Sequence, residues 1–168
     1  MKRFVVVVVA LVCVAALAYA MEDVKEMQSC SYCGMDREKF AHSRMLIEYD
    51  DGSKMGTCSL HCAAIDLALK MDKSPVMIGV ADYNSKKIID AEKAYWVLGG
   101  SKPGVMTATA KWAFEAKEDA EKFIQENGGT LATFEDAIKG AYDDMYQDTK
   151  MIREKKKKMK GMGHEHHH

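Results

Sequence analysis

Two closely spaced pairs of cysteines constrain the fold of this chain more than any other feature of its sequence. Cys30 and Cys33 form a CxxC pair, and Cys58 and Cys62 form a CxxxC pair. Thiols at such spacings occur as two structural disulfides, as a closed four-thiolate zinc site in a structural or metal-sensing domain, or as a dithiol redox centre. Each of these roles requires a fold that holds sulfur atoms close to one another.

The first pair is followed at once by Gly34 and Met35. Thiolates and thioethers are soft ligands that favour Cu(I), whereas zinc sites rarely use methionine. A redox CxxC normally lies between a strand and the N-terminus of a helix, but only a polar segment precedes Cys30. The run Cys30–Met35 therefore favours a Cu(I) site over a zinc site or a redox centre.

The second pair lies at the start of a predicted helix. Ser59 is a suitable N-cap residue, and the helix N-terminus stabilises the thiolate of Cys58, which is the form that binds metal. Cys62 lies one turn further on the same face, and His61 is near enough to join the rim of a site. We predict a second metal or redox role for these residues. The alternative is that Cys62 packs in the core and His61 is simply exposed.

The N-terminus has the pattern of a secretory signal. Lys2 and Arg3 precede an apolar run at residues 4–17, and Ala18–Ala20 ends it with an A-x-A sequence. We predict that residues 1–20 are removed before Met21 and that the protein is periplasmic or otherwise exported. The run is shorter than the roughly 20 residues of a spanning helix, so no membrane span is expected after cleavage. No lipid anchor is expected at Cys13, because valine precedes it.

The hydrophobic pattern of the mature chain predicts an α+β fold. Residues 21–29 are polar and read as a flexible leader, residues 30–150 form the metal-binding domain, and residues 151–168 are a basic, His-rich tail. Apolar residues do not recur at regular spacing in that tail, which predicts disorder or a frayed helix end. The predicted strands are 44–49, 53–57, 76–81, 87–89, 95–98, 107–114 and 130–134, and the predicted helices are 60–71, 117–126 and 135–150.

A weak internal sequence repeat indicates a duplication. Residues 54–64 align without gaps on residues 111–121, and both segments have the pattern of a strand followed by a helix. We therefore predict two related small strand-strand-helix units that pack as one compact domain, with the cysteines confined to the first unit.

The charge balance excludes some functions. Lys and Arg total 24 against 25 Asp and Glu, so the chain has no overall field that would attract nucleic acid. No nucleophile–base pair or pair of catalytic carboxylates is apparent, and we predict no enzymatic activity. The histidines at 164 and 166–168 leave two readings open, a solvated tail and a weak metal-capture arm.

Several short motifs resemble those of the NosL family of nitrous oxide reductase accessory proteins, which are periplasmic Cu(I) donors. The similarity covers residues 29–137. The motifs that carry it are Tyr32–Met35, Ile89–Ala91, Ala94–Val97, Val105–Met106, Ala113–Phe114, Asp119–Ala120 and Gly128–Gly129.

The resemblance implies a pair of small α+β units and a site for Cu(I) made by Cys33, Met35 and Met106. Cys30, Cys58 and Cys62 are additional to the family pattern, and we predict Cys30 as a fourth participant. The resemblance also implies a partner, either a copper-acceptor protein or a membrane transporter complex. Members of the family are usually lipoproteins, and this chain lacks a convincing lipobox. That difference weakens the prediction that nitrous oxide reductase receives the copper more than it weakens the prediction of copper binding.

Overall fold

The computed structural model describes residues 21–164, with side chains to residue 158. The predicted signal peptide at 1–20 and residues 165–168 lie outside the described residues. The four helices are α1 Glu22–Glu26, α2 Leu60–Leu69, α3 Lys117–Asn127 and α4 Phe134–His164. The seven strands are β1 Met45–Tyr49, β2 Lys54–Thr57, β3 Pro75–Ala81, β4 Ile88–Asp90, β5 Tyr95–Leu98, β6 Lys111–Phe114 and β7 Thr130–Ala132.

Two antiparallel sheets repeat one topology. The first has the strand order β2-β1-β3-β4, and the second has the order β6-β5-β7. In the first sheet, β1 lies between its hairpin partner β2 and strand β3, which follows α2. In the second sheet, β5 lies in the same way between β6 and strand β7, which follows α3. The aligned segments keep their register, because β2 and β6 begin at Lys54 and Lys111, and α2 and α3 begin at Leu60 and Lys117. The predicted α+β fold with two related units is confirmed.

Two groups of buried side chains form the core. The first joins the units, because it contains Ile47 of β1, Ala64 of α2, Trp96 of β5 and Ala137 of α4. The second contains three cysteines together with aromatic residues of the second unit, among them Trp112 and Phe114. The two units therefore pack as one domain, and the thiols lie within its core.

The segment at 21–29 differs from the flexible leader that we predicted. It contains helix α1, whose Val24 is buried. The Asp23 carboxylate forms ion pairs of 2.7 Å with Arg37 and 2.9 Å with Arg44, and both guanidinium groups are fully buried. Arg37 also donates to the backbone carbonyls of Asp23 and Met27 at 2.9 and 2.7 Å. Contacts with residues distant in sequence therefore hold this helix against the domain.

Two other predicted boundaries change. The strand expected from residue 107 begins only at Lys111, because Met106 has a positive φ of 61° and the Ala108 N–H donates to Asp148 instead of a neighbouring strand. The last helix, expected to end at 150, continues to His164, and its side chains at 153–158 are exposed. The tail is thus helical over most of its length. Within residues 21–164, no helix combines the length and apolar character that a membrane crossing requires.

Candidate metal centre

The four cysteines of the two pairs converge on one point. Their Sγ atoms all lie within 4.8 Å of one another, and all four are free thiols. The distance is 3.4 Å from Cys33 to Cys58 and 3.9 Å from Cys58 to Cys62. Sulfurs that share one ion at about 2.3 Å in a tetrahedron lie about 3.8 Å apart. The cluster therefore has the dimensions of a single mononuclear site.

The first pair is presented by a tight loop. The Cys30 N–H donates to the Met35 carbonyl at 2.8 Å, and the Gly34 N–H donates to the Cys30 carbonyl at 2.9 Å. Gly34 has a φ of +75°, which a residue with a side chain adopts only under strain. The Ser31 N–H and hydroxyl both donate to the Gly56 carbonyl at 3.2 Å. These bonds hold the loop against the end of β2, two residues before Cys58.

The second pair is presented by the junction of β2 and α2. Cys58 directly precedes the N-cap residue Ser59, and Cys62 lies one turn into the helix, as the sequence predicts. Arg37 supports this junction by donating from Nε to the Thr57 carbonyl at 3.2 Å. A Cβ on Gly56 would lie 2.7 Å from the Arg37 guanidinium carbon, so a glycine at this position makes room for the arginine.

A hydrogen bond joins the first pair's loop to the helix of the second pair. The hydroxyl of Tyr32, between the first two cysteines, donates to Asp66 of α2 at 2.6 Å. Asp66 is fully buried and also accepts from the Tyr49 hydroxyl at 2.5 Å. Burial raises the pKa of Tyr32, and the adjacent Asp66 carboxylate raises it further, so the phenol stays a hydrogen-bond donor. The structure thus reveals Tyr32 and Asp66 as positioning residues that spacing alone does not indicate.

Removing this hydrogen bond is expected to loosen the cluster without unfolding the domain. We expect Tyr32→Phe to lower metal affinity about tenfold, the lower end of what loss of a supporting hydrogen bond costs at metal sites. The measurement is a competition titration with a chromophoric chelator on the reduced protein. Tyr146→Phe is the control, because Tyr146 is 74% exposed. Equal affinities for the two variants would contradict a positioning role.

Both predicted thioether residues pack against the core group to which three of the thiols belong. Met35 and Met106 are partly buried and pack against the core group that contains Cys30, Cys58 and Cys62. Met106 holds the left-handed backbone conformation, in a loop that Asp148 secures by accepting from the Ala108 N–H at 2.9 Å. The fold therefore brings two soft side chains from distant loops to the same part of the core.

His61 does not join the sulfur cluster. Among the described residues, the group of potential ligands at this point consists of the four cysteines. His61 is buried, and its Nδ1 lies 3.4 Å from Oδ2 of Asp148 on α4. Burial lowers its pKa, against the opposing effect of Asp148. The alternative that left His61 exposed is therefore wrong, whereas its placement of Cys62 in the core is confirmed. The His61 side chain lies next to Asp148 of α4 and outside the group of four cysteines.

The cluster carries its negative charge unevenly. Hydrogen bonds from Cys33, then from Cys58 and Cys62, hold the pKa of Cys30 far below its usual range. The hydrogen bond to Cys30 raises the pKa of Cys33, but those with Cys58 and Cys62 lower it, to about 7. Hydrogen bonds to Cys30 and Cys33 raise the pKa values of the thiols of Cys58 and Cys62. These shifts favour the thiolate form at Cys30 and the protonated form at Cys58 and Cys62.

Metal uptake must therefore displace protons from Cys58 and Cys62. Because acid favours the thiols that compete with the metal, affinity is expected to fall as the pH falls. The expected slope is roughly tenfold per pH unit for each proton released. Competition titrations at several pH values measure the slope, and a pH indicator in weak buffer measures the protons directly. An affinity that is independent of pH would show that these thiols do not bind the metal as thiolates.

Comparisons with known proteins agree with this architecture. A family model described as NosL matches residues 21–142. Among solved structures, the crystal structure of the copper chaperone NosL from Shewanella denitrificans aligns with a TM-score of 0.52 and 24% identity, over 65% of this chain and 88% of that chain. No curated protein matches. The family model spans most of the chain and includes both cysteine pairs, both loop methionines and helix α1, and the chain therefore belongs to the NosL family.

Proposed function

We propose that this protein is an exported Cu(I) carrier that holds copper in its four-cysteine cluster and delivers it to an acceptor. The observation that carries the proposal is the convergence of four free Sγ atoms within 4.8 Å in a member of the NosL family. The acceptor is a copper enzyme, as for nitrous oxide reductase accessory proteins, or a membrane transporter complex that assembles one. Export by the signal at 1–20 places the carrier in the periplasm or outside the cell.

The choice of Cu(I) over zinc rests on the donors around the cluster. Four thiolates at these distances suit zinc as well as copper, so the thiols alone do not decide. Met35 and Met106 add thioethers, which are ligands for Cu(I) and are rare at zinc sites. Thioethers need no deprotonation, and so they continue to bind where the thiols are protonated.

The burial of the thiols indicates how copper leaves. Cys30, Cys58 and Cys62 are each at most 3% exposed, whereas Cys33 is partly exposed. Ligands of an acceptor therefore reach the ion on the side of Cys33 and displace the buried donors one after another. Ligand exchange of this kind requires no catalytic acid or base from the carrier.

A closed structural zinc site is the second candidate. The burial of three of the four thiols favours it, because structural zinc sites are four-coordinate and closed to solvent. In that case Met35 and Met106 would only fill space beside the cluster.

A titration of the reduced mature chain without oxygen separates the two candidates. Cu(I) and Zn(II) each compete with a chromophoric chelator, in the wild type and in Met35→Leu and Met106→Leu. Met77→Leu is the control, because Met77 lies on β3 outside the core group of the thiols. We expect tight uptake of one Cu(I), weaker Zn(II) binding, and Cu(I) affinity lowered only by changes at 35 and 106. Preference for Zn(II), with all three variants alike, would overturn the carrier proposal.

A further inference from the structure

Charge is segregated between the body of the protein and the end of α4. Residues 21–150 contain 23 acidic and 16 basic side chains, so the body is negative. The following 14 residues reverse this balance with a single acidic residue, Glu154. Their basic residues are Arg153, Lys155, Lys156, Lys157, Lys158 and Lys160. We call residues 153–164 the basic arm.

The basic arm projects from the domain as a helix. Among the side chains of α4 described up to residue 158, the last fully buried one is Asp148, and every side chain from 153 to 158 is exposed. Twelve residues of helix extend about 18 Å beyond this point, which is about twice the screening length of about 8 Å at physiological ionic strength. The repulsion between the negative body and a negatively charged surface bound to the arm would therefore be largely screened by salt.

The described charges of the arm form no ion pair with any other residue that the structure describes. None of the ion pairs among the described residues involves Arg153 or Lys155–Lys158. Arg153 and Lys157 are also four residues apart, a spacing at which like charges on a helix repel each other. Apart from Glu154, the charge of the arm is thus all positive and remains available to an external negative surface.

The distribution of the lysines favours a membrane over an acidic protein. Lys155–Lys158 are consecutive, and because successive helical residues are about 100° apart they surround the axis instead of forming one face. Protein sites are centred on aromatic residues and arginines that fill fixed pockets, and lysine is a mobile point charge. Anionic headgroups move laterally and can follow such a pattern, and clusters of four to eight basic residues are typical of segments that bind them.

We propose that the basic arm binds the protein to anionic phospholipid surfaces. The attachment is peripheral and electrostatic, and it adds no membrane-spanning segment. It holds the cysteine cluster near a membrane, where a transporter complex would be within reach, but the proposal does not depend on which metal the cluster carries.

Sedimentation with vesicles tests this proposal on the mature chain, with a chelator present to keep metal from the histidines. The vesicles are phosphatidylcholine alone or mixed with phosphatidylglycerol. The test variant changes Lys155, Lys156, Lys157 and Lys158 to glutamine. The control makes the same change in net charge at four exposed lysines of the body, Lys39, Lys87, Lys102 and Lys122.

We expect salt-sensitive binding only to the phosphatidylglycerol vesicles. A lysine near an anionic surface strengthens binding about fivefold, so the test variant is expected to lose at least about 100-fold, and the control much less. Equal loss in both variants, or equal binding to both vesicle types, would overturn the proposal. So would a wild type that binds soluble polyglutamate but not the vesicles, since the arm would then recognise acidic protein. Metal affinity of the test variant is expected to be unchanged, which separates this result from the carrier function.

Discussion

Replacing Cys58 with serine is expected to abolish tight Cu(I) binding while leaving the fold intact. Cys58 is the central sulfur of the cluster, fully buried and within 4 Å of both Cys33 and Cys62. Loss of a hydrogen-bonding partner beside a metal already costs about 10–100-fold in affinity, and loss of a direct ligand costs more. We therefore expect affinity to fall at least 100-fold, or about 3 kcal/mol or more.

The measurement is an anaerobic competition titration of Cys58→Ser beside Ser59→Ala. Ser59 is a buried neighbour whose side chain makes no capping hydrogen bond. Its hydroxyl accepts only a weak 3.9 Å hydrogen bond from the Cys58 thiol, which loses its proton when it binds metal, so the control disturbs the same junction and keeps every sulfur. Denaturant unfolding of the metal-free forms shows whether the domain remains folded. If Cys58→Ser binds Cu(I) like the wild type, then Cys33, Met35 and Met106 suffice, as the family resemblance implied, and the four-thiol site is wrong.

The repeated topology could be predicted because it is encoded locally. The turn residues Asp50–Gly52 between two short strand-forming segments indicate the first hairpin, and the gapless alignment of residues 54–64 with 111–121 places the second strand and the helix of each unit. Helix α1 could not be predicted in this way. It has five residues with a single buried apolar side chain, and what holds it is an ion pair between Asp23 and arginines 14 and 21 positions away.

The members of the candidate site could be listed from sequence, but their arrangement could not. Spacing shows that Cys30 is near Cys33 and that Cys58 is near Cys62, but not that the two pairs meet. Their meeting depends on hydrogen bonds from Tyr32 to Asp66 and from Ser31 to Gly56, between residues at least 25 positions apart. His61 shows the converse case, because its position three residues after Cys58 suggested a ligand, whereas the helix directs it towards Asp148.

Asp23→Asn is expected to destabilise the whole domain. The side chain of Asp23 is only 8% exposed, and it is the carboxylate between the guanidinium groups of Arg37 and Arg44, which are completely buried. Asparagine keeps the shape of the side chain and removes its charge, so both buried guanidinium groups lose their ion pair with residue 23. Breaking a buried ion pair from one side typically costs about 3–5 kcal/mol, a large part of the roughly 5–15 kcal/mol that stabilises an ordinary domain.

Denaturant unfolding of the reduced, metal-free chain measures this loss, because bound metal would add its own stabilisation. Asp143→Asn is the matched control, since Asp143 pairs with Lys139 on the exposed face of α4 and little change is expected there. Equal stabilities of the two variants would contradict a structural role for the buried ion pairs.

The expected result has a consequence for export. Asp23 is the third residue after the predicted cleavage site, so the carboxylate that pairs with the buried arginines lies at the new N-terminus. Removal of a few extra residues there would therefore destabilise the domain as the substitution does.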